Sequence, residues 1–233
     1  MNIDKAYVLE KLAAKKALDP ECIGFGVQNH GYQLQPPIEA PRLEQLERHY
    51  DFELPTDYRQ FLLTVGNGGA GPSYGLYSIE SSLSGKADKT YPNGGIKGGK
   101  DINRPFVRPE EFVESEEWPY PTGLIMLCQH GCANDDFLVV TGPERGFVWQ
   151  YIEWTGHHTP ALKDEPSFEQ SNDLSQDERE AAHKQWVAAV LNAPAENQMT
   201  FSDWYADWLE KPPYILPGAK KRKKGRFSRL LRR

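Results

Sequence analysis

Helices packed on the apolar face of an antiparallel meander form the architecture this sequence predicts, and three observations predict it. Residues 123–154 hold three apolar runs separated by turn residues, and segments of helical period lie before and after them. The composition, 39% hydrophobic and 12% aromatic over 233 residues, is that of a folded chain able to bury a sizeable core. A meander with an apolar face needs a covering layer, and the helical segments are the candidates.

The elements follow in order. Ile3, Tyr7, Val8 and Leu12 recur at helical spacing and predict a first helix over residues 1–18. Asp19-Pro20, several glycines and Pro36-Pro37 break the pattern, with Gly24-Phe25-Gly26-Val27 read as a short strand. A second helix starts near Pro41, with Leu43, Leu46 and Tyr50 inward and Glu44, Glu47 and Arg48 outward. A third occupies Leu54 to Val65: Pro55 suits its first turn, Asp57 faces the positive end of its dipole, and Tyr58, Phe61, Leu62 and Val65 form one buried stripe. Gly66-Asn67-Gly68-Gly69 tolerates positive φ and stops that helix.

Tyr74 to Ile79 reads as a strand, and residues 80–105 as a long surface insertion rich in Gly, Ser and Lys. Phe106, Phe112 and Val113 resume the core pattern, on a short helix after Arg108-Pro109. The meander takes its strands from Leu124 to Cys128, Phe137 to Val140 and Phe147 to Trp154, and residues 155–172 read as a loop. Ser175 and Glu178 form a capping box for a helix whose inner face is Ala182, Trp186, Ala189 and Val190. Thr200 caps the last helix, with Phe201, Trp204, Tyr205, Trp208 and Leu209 on one stripe and Pro212-Pro213 as its stop; this stripe reads as core, not as a ligand cage.

Charge and cysteine usage narrow the classes. No apolar run reaches the length that spans a bilayer, and Met1-Asn2-Ile3-Asp4-Lys5 lacks the layout of a secretory signal. Cys22, Cys128 and Cys132 make no paired framework, so reduced thiols and a cytoplasmic location are expected. Of 27 basic and 33 acidic residues, nine basic and no acidic ones fall in 218–233; the remaining 217 residues hold 18 basic against 33 acidic, a net of −15. Such a body repels nucleic acid and steers a basic protein toward itself.

Several motifs bear on possible chemistry. Gly94 to Lys100 fits G-x-x-x-x-G-K, but Asp101 stands where magnesium needs a hydroxyl and no apolar strand precedes, so a loop is the better reading. Cys128, His130 and Cys132 cluster within five residues, with His157-His158 further on; a second tight pair of ligands is missing, so no metal and no cofactor is expected. Nothing in the sequence orients His130 as a base for a cysteine, and no Ser-His-Asp set is visible, so no catalytic residue is assigned. Glu110-Glu111, Glu116-Glu117 and Asp135-Asp136 read as solvated acidic surface. Of these, Glu116, Glu117, Asp135 and Asp136 are the candidates for the face a basic partner meets. The tail cations Lys220, Lys221, Arg222, Lys223, Lys224, Arg226, Arg229, Arg232 and Arg233 suit a solubilising end, an anionic nucleic-acid or membrane surface, or a localisation signal. Phe227, Leu230 and Leu231 among them suit a short helix on such a surface.

The segment Leu54-Pro55-x-Asp57-Tyr58-Arg59-x-Phe61-Leu62, ending in Gly66-Asn67-Gly68-Gly69, resembles the SUKH superfamily, within it the clade of the yeast Smi and Knr cell-wall regulators. The likeness continues through Gly71-Pro72-x-Tyr74-Gly75-Leu76, Gly131-Cys132, Leu138-Val139-Val140, Gly146-x-Val148-Trp149 and Phe201-x-x-Trp204-Tyr205-x-x-Trp208-Leu209, over about residues 40–212. It implies an α+β domain, an antiparallel or mixed sheet with flanking helices, that binds other proteins. Many bacterial members look like immunity proteins against secreted toxins, often nucleases, and eukaryotic ones like regulatory adaptors. On that resemblance, residues 1–39 are an N-terminal helix and loop, 40–212 the domain with its Gly/Lys-rich insertion near 80–105, and 213–233 a disordered polybasic tail. The expected function is non-enzymatic neutralisation of a basic toxin domain, with no small-molecule substrate. The alternative is a regulatory scaffold that uses the tail.

Overall fold

The computed structural model describes residues 3–84, 101–108, 122–132, 134–152, 157–166 and 175–219. Among them the chain is an α+β domain: helices α1 (Lys5–Leu18), α2 (Ala40–Tyr50), α3 (Thr56–Thr64) and α4 (Ile79–Ser84), a sheet of β1 (Leu124–Gly131), β2 (Asn134–Val139), β3 (Val148–Ile152) and β4 (His157–Pro160), then α5 (Gln176–Leu191) and α6 (Phe201–Glu210). The strands lie in sequence order and every pairing is antiparallel.

Both faces of the sheet are covered. Ile125, Leu127, Cys128, Leu138 and Val148 join the buried residues of α1, α2, α3 and α6 in one cluster. Leu124, Met126, Phe137, Val139, Trp149 and Tyr151 pack with Trp186, Val187, Val190 and Leu191 of α5 in a second. Val8 and Leu12 of α1 therefore share a core with Leu43, Phe61 and Tyr205. No described helix is long and apolar enough to cross a membrane.

Helix α6 ties the first cluster together. Phe201 lies 4.6 Å from the Tyr58 ring and 5.0 Å from Phe61, centroid to centroid. Tyr205 donates its hydroxyl to the Ala70 carbonyl at 2.9 Å, and the Ser202 amide donates to Asp57 Oδ2 at 3.0 Å. Thr200 and Asp203 cap the helix reciprocally, as Ser175 and Glu178 cap α5. Thr200→Ala removes an N-cap acceptor and should cost about 1 kcal/mol, read as a lowered denaturation midpoint with unchanged m-value.

The structure departs from the sequence reading in several places. Residues 24–27 form no strand: Gly26 has a φ of +73° and leads into a 3-10 turn over Val27–Asn29. Tyr74 to Ile79 contributes only isolated bridges from Leu76 to Gly69 and Cys128 before α4 begins. The expected insertion is anchored at both ends, by buried Ile79, Ser82 and Leu83 of α4 and by buried Ile102; residues 85–100, with all of the G-x-x-x-x-G-K segment, lie outside the described residues. Phe106 is buried but not helical, and Phe112 and Val113 are not described. Part of the expected loop 155–172 is strand β4, an edge strand whose Pro160 ends the pairing with Trp149. On α5 the buried stripe is Trp186, Val187, Val190 and Leu191, whereas Ala189 is exposed.

Candidate functional site

A polar cluster lies near the turn of the β1–β2 hairpin. Cys128 and Asp136 are direct register partners, so their side chains share a face. The register shifts between Gln129 and Gly131, leaving His130 as the extra residue of a bulge. A bulge re-aims the side chain it carries, and His130 Nε2 here meets Asp136 Oδ2 at 2.7 Å. Cys128 Sγ lies 3.6 Å from His130 Nε2 and 3.6 Å from Asp136 Oδ2.

Two other elements complete the cluster. The turn after Gly71 places Ser73 at a φ of +45°, with the Gly75 amide returning to the Pro72 carbonyl. Ser73 Oγ lies 2.8 Å from His130 Nδ1. From α6, Trp204 Nε1 donates to Asp136 Oδ2 at 3.0 Å. The turn is held from behind by Gly26, since a Cβ there would overlap the Ser73 carbonyl and sit 2.7 Å from the Tyr74 amide nitrogen. Tyr74 packs at a tilt beside Phe25, ring centroids 5.2 Å apart, and His30 lies behind the turn, its ring against the Gly75 backbone.

Electrostatics set the protonation of this group. Burial pushes the Cys128 thiol well up, and the charge and hydrogen bond of Asp136 add to it. Burial works against a charged His130, but the charge and hydrogen bond of Asp136 outweigh it and raise its pKa. Burial lowers His30 to about 4, against a raising contribution from the Ser73 backbone, so that imidazole is neutral at pH 7. Cys128 is thus a thiol and His130 a ready proton holder, neither of them poised as nucleophile and base.

Sequence reasoning reached only part of this arrangement. It marked Cys128 and His130 but looked to Cys132 and His157-His158 for company. Cys132 is exposed, and the His158 ring packs against Phe137 and Tyr151 on the opposite face of the sheet. Asp136 and Ser73 were missed in this role; only the hairpin register brings Asp136 opposite Cys128. Ser73, His130 and Asp136 are linked in series, a set the sequence did not display. Serine sits on Nδ1 and aspartate on Nε2, the reverse of the serine-hydrolase orientation.

Asp135 and Asp136, expected on a solvated face, are interior: 5% and 2% exposed. Adjacent residues of a strand point to opposite faces, and helices cover both faces here. Glu116, Glu117 and the cations from Lys220 to Arg233 lie outside the described residues.

Asp135 carries its own cost. Oδ1 has no hydrogen-bond partner among the described residues. Burial pushes the carboxyl up to about 6, opposed by the Gln129 hydrogen bond and the His130 charge and reinforced by Asp136. Because its folded pKa exceeds the ordinary aspartate value of 3.8, the native state takes up a proton between those two values, and stability falls as pH rises through that window. Asp135→Asn should therefore stabilise the protein near neutral pH by up to about 2 kcal/mol, with the gain vanishing toward about pH 4. Melting temperatures of both chains across that range check it.

A family model described as SMI1 / KNR4 family (SUKH-1) matches residues 37–174, more than half of the chain. The match starts before α2 and takes in the hairpin with Cys128, His130 and Asp136; Ser73 also falls inside it, whereas Trp204 falls outside. No curated protein and no solved structure matches.

Proposed function

The chain belongs to the SMI1 / KNR4 family (SUKH-1), and on that premise we propose that it is a non-enzymatic protein-binding module, an immunity protein that occludes a basic toxin domain. The observation that carries this reading is the net charge of −15 over residues 1–217. A nuclease toxin must be basic to hold phosphates, so an acidic body is drawn to the surface that contacts nucleic acid. The exterior supplies such charge: Glu39 and Glu44 of the α2 segment and Asp177 and Glu180 of α5 are exposed. Asp135 and Asp136 are not part of that exterior; Glu116 and Glu117 remain candidates for it. The proposed compartment is the cytoplasm, where a toxin reaches its target.

The test is protection. Where a toxin domain is encoded beside this gene, a cell expressing it should grow when the full chain is co-expressed, and should die without it. Death in both cases removes the immunity reading.

The nine cations of residues 218–233 favour a second reading, a regulatory scaffold docked on a membrane or nucleic acid through its tail. Deleting 218–233 separates the two. An immunity protein keeps its protection, whereas a scaffold loses its localisation.

A further inference from the structure

The geometry points to a divalent zinc-type metal site formed by Cys128, His130 and Asp136, with Ser73 orienting the histidine. The three donor atoms lie within 4.8 Å of one another. Their spacings can be compared with a tetrahedral shell. Zinc–sulfur bonds of about 2.3 Å and zinc–nitrogen or –oxygen bonds of about 2.0 Å put sulfur about 3.5 Å from each lighter donor, and nitrogen about 3.3 Å from oxygen. Cys128 Sγ stands 3.6 Å from both His130 Nε2 and Asp136 Oδ2. The third edge, 2.7 Å, is a hydrogen bond that must open by about half an ångström to admit the ion.

The surroundings fit the same purpose. A metal-bound histidine keeps its ring fixed by a hydrogen bond from its other nitrogen, and Ser73 Oγ at 2.8 Å from Nδ1 occupies that place. Trp204 Nε1 holds the carboxylate from the interior side. Sulfur, imidazole and carboxylate together suit zinc better than magnesium or calcium, which take oxygen donors. Three protein donors leave a fourth position for water, and His130, 28% exposed, gives the ion a way in. On binding, the Cys128 thiol proton and the proton shared between His130 and Asp136 pass to solvent, and no other bond changes. This site is independent of the immunity reading and stands or falls by itself.

Cobalt(II) in place of zinc provides the readout. The purified full chain, stripped with chelator and dialysed, is titrated with cobalt chloride and then with zinc chloride. One equivalent of cobalt should bind, with a thiolate-to-cobalt charge-transfer band and tetrahedral d–d bands, all displaced by zinc. C128A should lose the charge-transfer band, H130Q should weaken cobalt binding at least tenfold, and S73A should weaken it about tenfold through the freed imidazole. The double variant C22S/C132S should bind as the natural chain does. Circular dichroism of each variant reports folding, and the natural chain alone decides the first point. No charge-transfer band in the natural chain at excess cobalt would overturn the site. So would a band that survives C128A or disappears in C22S/C132S.

Discussion

Asp136→Ala should lower stability by about 3 kcal/mol, one of the two largest single losses expected in this chain. The carboxylate is 2% exposed and accepts from both His130 Nε2 and Trp204 Nε1. Removing it leaves a buried indole N–H and a histidine without their acceptor, and breaking a buried charged pair from one side costs about 3–5 kcal/mol. Partial exposure of His130 puts the expectation at the lower end. For a chain of this size the melting temperature should drop by roughly 6–12 °C. Asp136→Asn keeps an oxygen for Trp204 and should lose less.

The same pair gives a pH signature. The folded pKa of His130 is raised above its ordinary 6.5, so its pairing stabilises fully below about that pH and is lost as pH rises through the folded value. The stability gap between the natural chain and Asp136→Asn should therefore narrow as pH rises above about 6.5. An unchanged gap would mean that the histidine is not held by this charge.

Gly26→Ala should be at least as damaging. Gly26 has a φ of +73°, and a Cβ would overlap the Ser73 carbonyl. A left-handed conformation costs an alanine about 1–2 kcal/mol, and a backbone overlap cannot be relieved by rotating a side chain. The total should exceed about 3 kcal/mol, and the turn that carries Ser73 should shift away from His130. Gly31→Ala is the matched control: its φ is +56°, with nothing within 4 Å of the added Cβ, so only the conformational cost of about 1 kcal/mol applies. Denaturant midpoints of the two variants separate the effects, and equal losses would refute the close approach of residues 26 and 73.

Local pattern was legible wherever one face repeats. The stripe Tyr58, Phe61, Leu62 and Val65 is buried, as helical spacing required, and the Ser175–Glu178 capping box and the Thr200 cap stand where their residues promised. Short or edge elements were not legible. Gly24-Phe25-Gly26-Val27 alternates like a strand, but Gly26 takes a positive φ that a strand does not use. His157-His158-Thr159-Pro160 has no apolar alternation and becomes a strand only by pairing on β3. The candidate site was half legible for a related reason. Cys128 and His130 share a strand and a two-residue spacing, whereas Asp136 joins them through hairpin register and a bulge, which residue types alone do not encode. Asp135 and Asp136 read as surface because the sequence does not tell how many faces of a sheet are covered.

On the proposed function, the acidic domain works by covering a basic protein surface. Where the neighbouring gene encodes a toxin domain, calorimetric titration of the purified chain with that domain, at low and at raised salt, is the test. A one-to-one complex that weakens markedly with salt, together with loss of the toxin's activity on nucleic acid, is the predicted result. No heat of binding at low salt, or a complex that leaves the toxin fully active, would contradict it.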